Sequence, residues 1–186
     1  MLVLASASPR RREILTMLGY VFEVCAADVN ETVLCNTLPC DAVLDLARRK
    51  AETVFAARPE CVVLGADTIV VVDGAMLGKP RDAADGARML RLLSGRTHEV
   101  YTGVSVLSND SDISFFRRTL VEFRQLTERE IAGYIDTGEP MDKAGGYGIQ
   151  GRGAVLVEGI QGDFFNVMGL PAADVHRALA GLANIL

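Results

Sequence analysis

Apolar residues open the chain as Leu2-Val3-Leu4-Ala5, an unbroken run that predicts a short buried strand. Ser8 then stands where a helix N-cap belongs. Pro9 stands at the first helical position, where its missing N–H costs nothing. Ile14, Leu15 and Leu18 give an inward stripe to a helix from Pro9 to Leu18, closed by Gly19. Phe22 to Cys25 predicts a short strand, and Asp28 to Thr32 an acidic loop carrying Glu31. From Asp41 to Ala57 the pattern is helical again. Val43, Ala47 and Val54 share one stripe, and Lys50 falls on it. A lysine there either snorkels to the surface or points into a polar cleft that the helix borders.

The most apolar stretch runs from Cys61 to Val72 and predicts buried strand on both sides of Gly65-Ala66-Asp67-Thr68. A carboxylate inside such a run is costly unless it is paired or hydrated. Two readings follow for Asp67: a turn in which it caps backbone N–H groups, or a partly buried acid serving catalysis or a metal. Asp73-Gly74 predicts a hairpin turn, and Gly78-Lys79-Pro80 presents a second lysine. A helix over Asp82–Leu93 is followed by strands over Thr97–Leu107 and Ile113–Phe123. Thr127 with Glu130 reads as a capping box opening a helix that ends near Gly138. Asp142 to Gly153 is so dense in glycine that its backbone must take unusual conformations or press against something; Gln150 lies within it. Ala154–Ile160 predicts a strand, and Pro171–Leu182 a last helix.

At 186 residues the chain fits one domain, residues 1–186, with room for a sizeable core. The net charge of −5 argues against broad nucleic-acid or membrane binding, though a local basic pocket stays compatible with it. No apolar run reaches membrane-spanning length, and the arginines follow the first strand instead of preceding an apolar segment. The expectation is a cytoplasmic protein with reduced thiols at Cys25, Cys35, Cys40 and Cys61, whose spacing fits no common zinc pattern. With only two histidines, a metal would be held by carboxylates, which points to Mg²⁺ or Mn²⁺.

Chemistry enters at the ends of these elements. Arg10, Arg11 and Arg12 stand at the start of the first helix, where the partial positive charge of the helix disfavours cations. An anion bound there would account for them, and so would a solvated basic turn. Arg10, Arg11, Lys50, Lys79 and Lys143 are basic, and Glu31, Asp67 and Asp142 acidic. Brought together, they would hold a polyphosphate and a hard cation, which is the equipment for attack on a phosphoanhydride.

Five blocks carry a family resemblance: Ser6-Ala7-Ser8-Pro9-Arg10-Arg11, Gly65-Ala66-Asp67-Thr68, Gly78-Lys79-Pro80, Asp142 to Gly151, and Asn166-Val167-Met168-Gly169-Leu170-Pro171. In order and spacing the chain resembles the Maf (septum formation inhibitor) nucleotide pyrophosphatases. The resemblance implies an α/β fold of the Maf/inosine triphosphate pyrophosphatase kind, an elongated mixed β-sheet flanked by helices, with two lobes and a central cleft. It implies cleavage of a nucleoside triphosphate between the α- and β-phosphates, assisted by Mg²⁺ or Mn²⁺. It makes Asp67 the proton acceptor, and it places Ser6, Ser8, Arg11, Glu31, Lys50 and Lys79 at the phosphate and metal end, with Glu31 and Asp67 as metal ligands. Arg10, Thr68 and Gln150 match the branch acting on dTTP and UTP. A homodimer, and roles in clearing non-standard or excess nucleotides and in cell-division arrest, come with the family. Against this stand a nucleotide-binding regulator without turnover, and a phosphopeptide- or nucleic-acid-binding module. The acidic net charge weighs against the last.

Overall fold

The computed structural model describes residues 1–33 and 36–182. Cys35 lies outside the described residues; Cys25, Cys40 and Cys61 are free thiols.

Among the described residues seven strands form one mixed sheet in the order β2-β1-β3-β5-β6-β7, with β4 paired to β3. Strand β1 (Leu2–Leu4) is buried throughout, as its unbroken apolar run requires. It runs parallel to β2 (Phe22–Val24) on one side and to β3 (Val62–Val72) on the other. Parallel neighbours need long crossovers. Helices α1 (Pro9–Met17) and α2 (Pro39–Ala57) fill them. Strand β3 turns back into β4 (Ala75–Leu77) through Asp73 and Gly74, both at positive φ (49° and 76°), the conformation a two-residue hairpin favours. Helix α3 (Ala83–Leu93) starts where the Asp82 carboxylate accepts from the Asp85 N–H at 2.8 Å. Strands β5 (Thr97–Ser108) and β6 (Ser111–Phe123) pair across a two-residue turn. The capping box of Thr127 and Glu130 opens α4 (Glu128–Ile135). Strand β7 (Val157–Gln161), α5 (Phe164–Met168) and α6 (Ala172–Ala180) complete the chain.

One of the two readings of Asp67 falls away, and one strand boundary shifts. Residues 61–72 contain no turn: β3 is one strand of 11 residues that runs straight through Asp67. The carboxylate has a cationic partner, described below, so the backbone need not leave the sheet to solvate it. The last strand begins at Val157, not Ala154, because Gly151–Leu156 forms 3₁₀ turns and the ladder to β6 starts at Phe123 and Val157.

The chain divides into two compact units. The first comprises Met1–Thr68, Thr102–Arg117 and Gly169–Leu186. Part of its core is Val3, Ala5, Ala51, Val54, Cys61, Val63 and Leu107. The second comprises Ile69–Tyr101 and Arg118–Met168. Its core gathers Val70, Met89, Leu90, Leu93, Val121, Phe123, Ile131 and Leu156. No helix among the described residues is long and apolar enough to cross a membrane.

Candidate active site

Two glycines set how closely α2 approaches the sheet. A Cβ on Gly65 of β3 would lie 2.3 Å from the Ala47 carbonyl oxygen and 2.8 Å from the Ala51 nitrogen. A Cβ on Gly103 of β5 would lie 2.3 Å from the Val43 carbonyl oxygen. Only glycine permits this contact. Lys50 belongs to the same stretch of α2. Asp67, two residues beyond Gly65, shares its face of β3. The helix therefore delivers the Lys50 ammonium to the Asp67 carboxylate at 2.6 Å, and Glu31 closes on the same nitrogen at 2.7 Å.

Burial makes this a demanding arrangement. The Lys50 and Asp67 side chains are 10% and 12% exposed, while Glu31, on the loop before α2, is 54% exposed. Removing one partner of a buried ion pair costs about 3–5 kcal/mol, because the other charge is left without compensation. The lysine of the apolar stripe thus points into a polar site, not to bulk water.

The opposite face of β3 is read by α1. Arg11 is buried. Its Nε donates to the Gly169 carbonyl at 2.8 Å. One terminal nitrogen donates to Ser6 Oγ at 2.9 Å and to the Ala66 carbonyl at 2.8 Å. The other donates to Thr68 Oγ1 at 3.1 Å. Four of the five guanidinium N–H groups are therefore spent within the protein. Burial lowers the Arg11 pKa, and the Asp67 charge acts the other way. Thr68 Oγ1 also pairs with Thr102 Oγ1 at 2.9 Å. Ser8 takes the N-cap position as expected but makes no side-chain cap bond; its N–H donates to Ser6 Oγ at 3.3 Å.

The first unit thus brings together Ser6, Arg11, Glu31, Lys50, Asp67 and Thr68, with Ser8 and Arg10 at the start of α1. Lys79 and Gln150 belong to the second unit. Lys79 is exposed, in the bend after β4. Its neighbour Gly78 accepts from the Gly145 N–H at 3.0 Å, which ties that bend to the glycine-rich segment. Gln150 is half-buried and precedes the 3₁₀ turns.

Several residues that periodicity did not single out hold the Gln150 segment. Tyr134 Oη accepts from the Gly148 N–H at 3.1 Å and donates to Glu139 at 3.0 Å. The Glu139 carboxylate accepts from the Arg152 and Gly153 N–H groups at 3.1 and 3.2 Å. Gln150 is bracketed by these anchors. Tyr147 is buried edge-on against Phe123 and pairs with His98 Nε2 at 2.7 Å. Burial raises both tyrosine pKa values. Lys143 is absorbed by structure: its ammonium donates to the Glu139 carbonyl and pairs with Asp142. Gly169 was legible only as part of a motif. Its φ of 109° and a Cβ that would lie 3.3 Å from Thr68 Oγ1 explain why no side chain stands there.

A Mg²⁺ or Mn²⁺ ion suits this donor set in part. Glu31 and Asp67 supply hard carboxylate oxygens close enough to share one ammonium. Among the described residues no three of His, Cys, Asp and Glu gather as a metal cage. That composition fits Mg²⁺, which takes one or two carboxylates and completes its shell with waters and substrate phosphates.

Fold and site define the class first: a mixed α/β protein with a lysine–carboxylate cluster at its central strand. The fold matches the Staphylococcus aureus Ham1 protein, with a TM-score of 0.51 at 17% identity over 84% of this chain and 79% of that one. The family model described as Maf-like protein matches residues 1–182, and the chain belongs to the Maf family. A dTTP/UTP pyrophosphatase of Bacillus cytotoxicus is 52% identical over 177 residues, 95% of this chain and 93% of the relative. A dTTP/UTP pyrophosphatase of Bacillus cereus is 48% identical over 178 residues, 96% of this chain and 93% of the relative.

Proposed function

We propose that this protein is a nucleoside triphosphate pyrophosphatase that hydrolyses dTTP and UTP to the monophosphate and pyrophosphate. The observation that carries the reading is the buried Lys50 ammonium shared by Asp67 and Glu31. Relatives at about half identity bearing that activity in their names support it.

Water attacks the α-phosphorus. Its oxygen forms the new P–O bond, its proton passes to the Asp67 carboxylate, and the α–β bridging bond breaks to release pyrophosphate. Ser8, Arg10 and Lys50 of the first unit would bind the phosphates and offset the charge that grows on the leaving group, and the family resemblance adds Lys79 to them. Glu31 and Asp67 would hold the divalent cation, which when bound withdraws charge from phosphate oxygens. Ser6 and Arg11 fix the strand that carries Asp67 and Thr68. Gln150 reads the base: its amide accepts from N3–H and donates to O4 of uracil or thymine. Arg10 and Thr68 support the same selection by family resemblance. The chain works as one catalytic domain, in the cytoplasm where nucleotides are held, as a homodimer, with no nucleic acid or membrane as partner.

Incubation with dTTP, UTP, CTP, GTP and 7-methyl-GTP, with pyrophosphate detection, tests the reading. Release from dTTP and UTP within roughly tenfold of each other, with CTP and GTP far behind, is expected. EDTA abolishes the activity, and Mg²⁺ or Mn²⁺ restores it. Tight nucleotide binding without pyrophosphate release would mark a regulator instead.

A further inference from the structure

We infer that in the resting protein the Lys50 ammonium holds the Glu31 and Asp67 carboxylates that would bind the divalent cation, so that metal and nucleotide enter together. The inference rests on the proposed role of those two carboxylates as the metal-holding pair.

Oxygens of Asp67 and Glu31 lie 2.6 and 2.7 Å from the Lys50 Nζ. A cation arriving alone meets a like charge already hydrogen-bonded to both of its protein ligands. No third His, Cys, Asp or Glu among the described residues stands ready to compensate for the displacement. Arg11, the buried cation nearest in sequence to the phosphate-site serines, cannot yield to make room, since its guanidinium is tied by four bonds. Lys50 differs from it in kind. Its stem is packed on the buried stripe of α2, but its charge is a compact point at the end of rotatable bonds.

A triphosphate resolves the conflict by supplying two things at once. Its anionic oxygens give the ammonium a new partner, and they give the cation the ligands that two carboxylates cannot provide. Lys50 then passes from the carboxylates to the phosphates as the cation replaces it. The same side chain pairs with both acids at rest and binds substrate during turnover. Metal and nucleotide affinities become linked through it, and by thermodynamic reciprocity each raises the other.

Mn²⁺ binding without nucleotide, read by electron paramagnetic resonance on wild type, Lys50→Met and Lys50→Gln, tests this. Both variants are expected to bind Mn²⁺ about tenfold more tightly than wild type, although they lose activity. Equal or weaker Mn²⁺ binding in the folded variants overturns the inference. Should neither variant fold, the wild type still decides. Its Lys50 side-chain resonance should stay in place with Mg²⁺ alone and move when a non-cleavable triphosphate is added. A move of the same size with Mg²⁺ alone overturns the inference. Because these measurements read no turnover, their failure is separate from failure of the pyrophosphatase reading, which the wild-type nucleotide panel decides.

Discussion

The Ala66 carbonyl, one residue before Asp67, accepts a hydrogen bond from the Arg11 guanidinium at 2.8 Å. The same side chain holds Thr68, one residue after it, at 3.1 Å. Asp67 is therefore clamped on both sides by a buried arginine that spends four of its N–H groups within the protein. Small misplacements of a reacting group cost about 10²-fold in rate. Arg11→Lys is expected to lower kcat by about that factor while the affinity for a non-cleavable triphosphate stays within about threefold. Single-turnover kinetics with calorimetric binding separate the two effects. A matching loss of binding would show instead that Arg11 holds phosphate directly.

Asp67→Asn keeps the shape of the side chain and leaves Lys50 its contact with Glu31. It removes the proposed proton acceptor. A kcat lower by about 10²–10⁴, with the fold intact by circular dichroism, is expected. Near-wild-type turnover in this variant would sink the proposed mechanism.

Base choice is predicted to depend on Gln150 and on the carboxylate that anchors its segment. Gln150→Glu removes the amide donor that the proposed function sets against O4, so the preference for dTTP and UTP over CTP should shrink by about 10–100-fold in kcat/KM. Glu139→Ala leaves the buried Gly153 N–H without its carboxylate, while water can serve the exposed Arg152 N–H. It is expected to cost about 1–3 kcal/mol of stability. It should also blur the same preference, because the base-reading side chain loses its support. An unchanged base ranking in both would show that the pocket is read elsewhere.

Acid sensitivity is predicted from His98, whose pKa burial lowers from 6.5 to about 4. Above about pH 6.5 the ring is neutral in both the folded and unfolded chain and costs nothing. Between about 6.5 and about 4 the unfolded chain takes up a proton that the folded one refuses. Stability therefore falls by about 1.4 kcal/mol per pH unit, and the loss levels off once the folded ring also protonates. Urea denaturation from pH 7 to 4.5 should show this slope in wild type and a shallower one in His98→Asn. Identical slopes would remove His98 as the source.

Much of this molecule was determined by the sequence alone. The β1–α1 start, the Asp73-Gly74 hairpin, the Thr127–Glu130 cap and the inward stripe of α2 are local signals, each fixed by residues within a turn or two of one another. The family blocks carry the candidate residues in the same way. What tertiary structure decided is which of those residues touch. Periodicity left Lys50 free to snorkel; it reaches Asp67 because Gly65 and Gly103 let α2 press against two strands far apart in the chain. Periodicity also allowed a turn at Asp67, and the ammonium pairing keeps that segment in one strand. The motif places Arg11 at the phosphate end, and only the fold shows that Gly169, 158 residues away, supplies a carbonyl for its Nε. Likewise Glu139 and Tyr134 show no motif, since their worth lies in meeting Gly148, Arg152 and Gly153 through space. The hydrophobic effect acts on each residue where it stands and so leaves a pattern along the chain. Hydrogen bonds and ion pairs need two partners at fixed geometry, and the folded sheet brings those partners together.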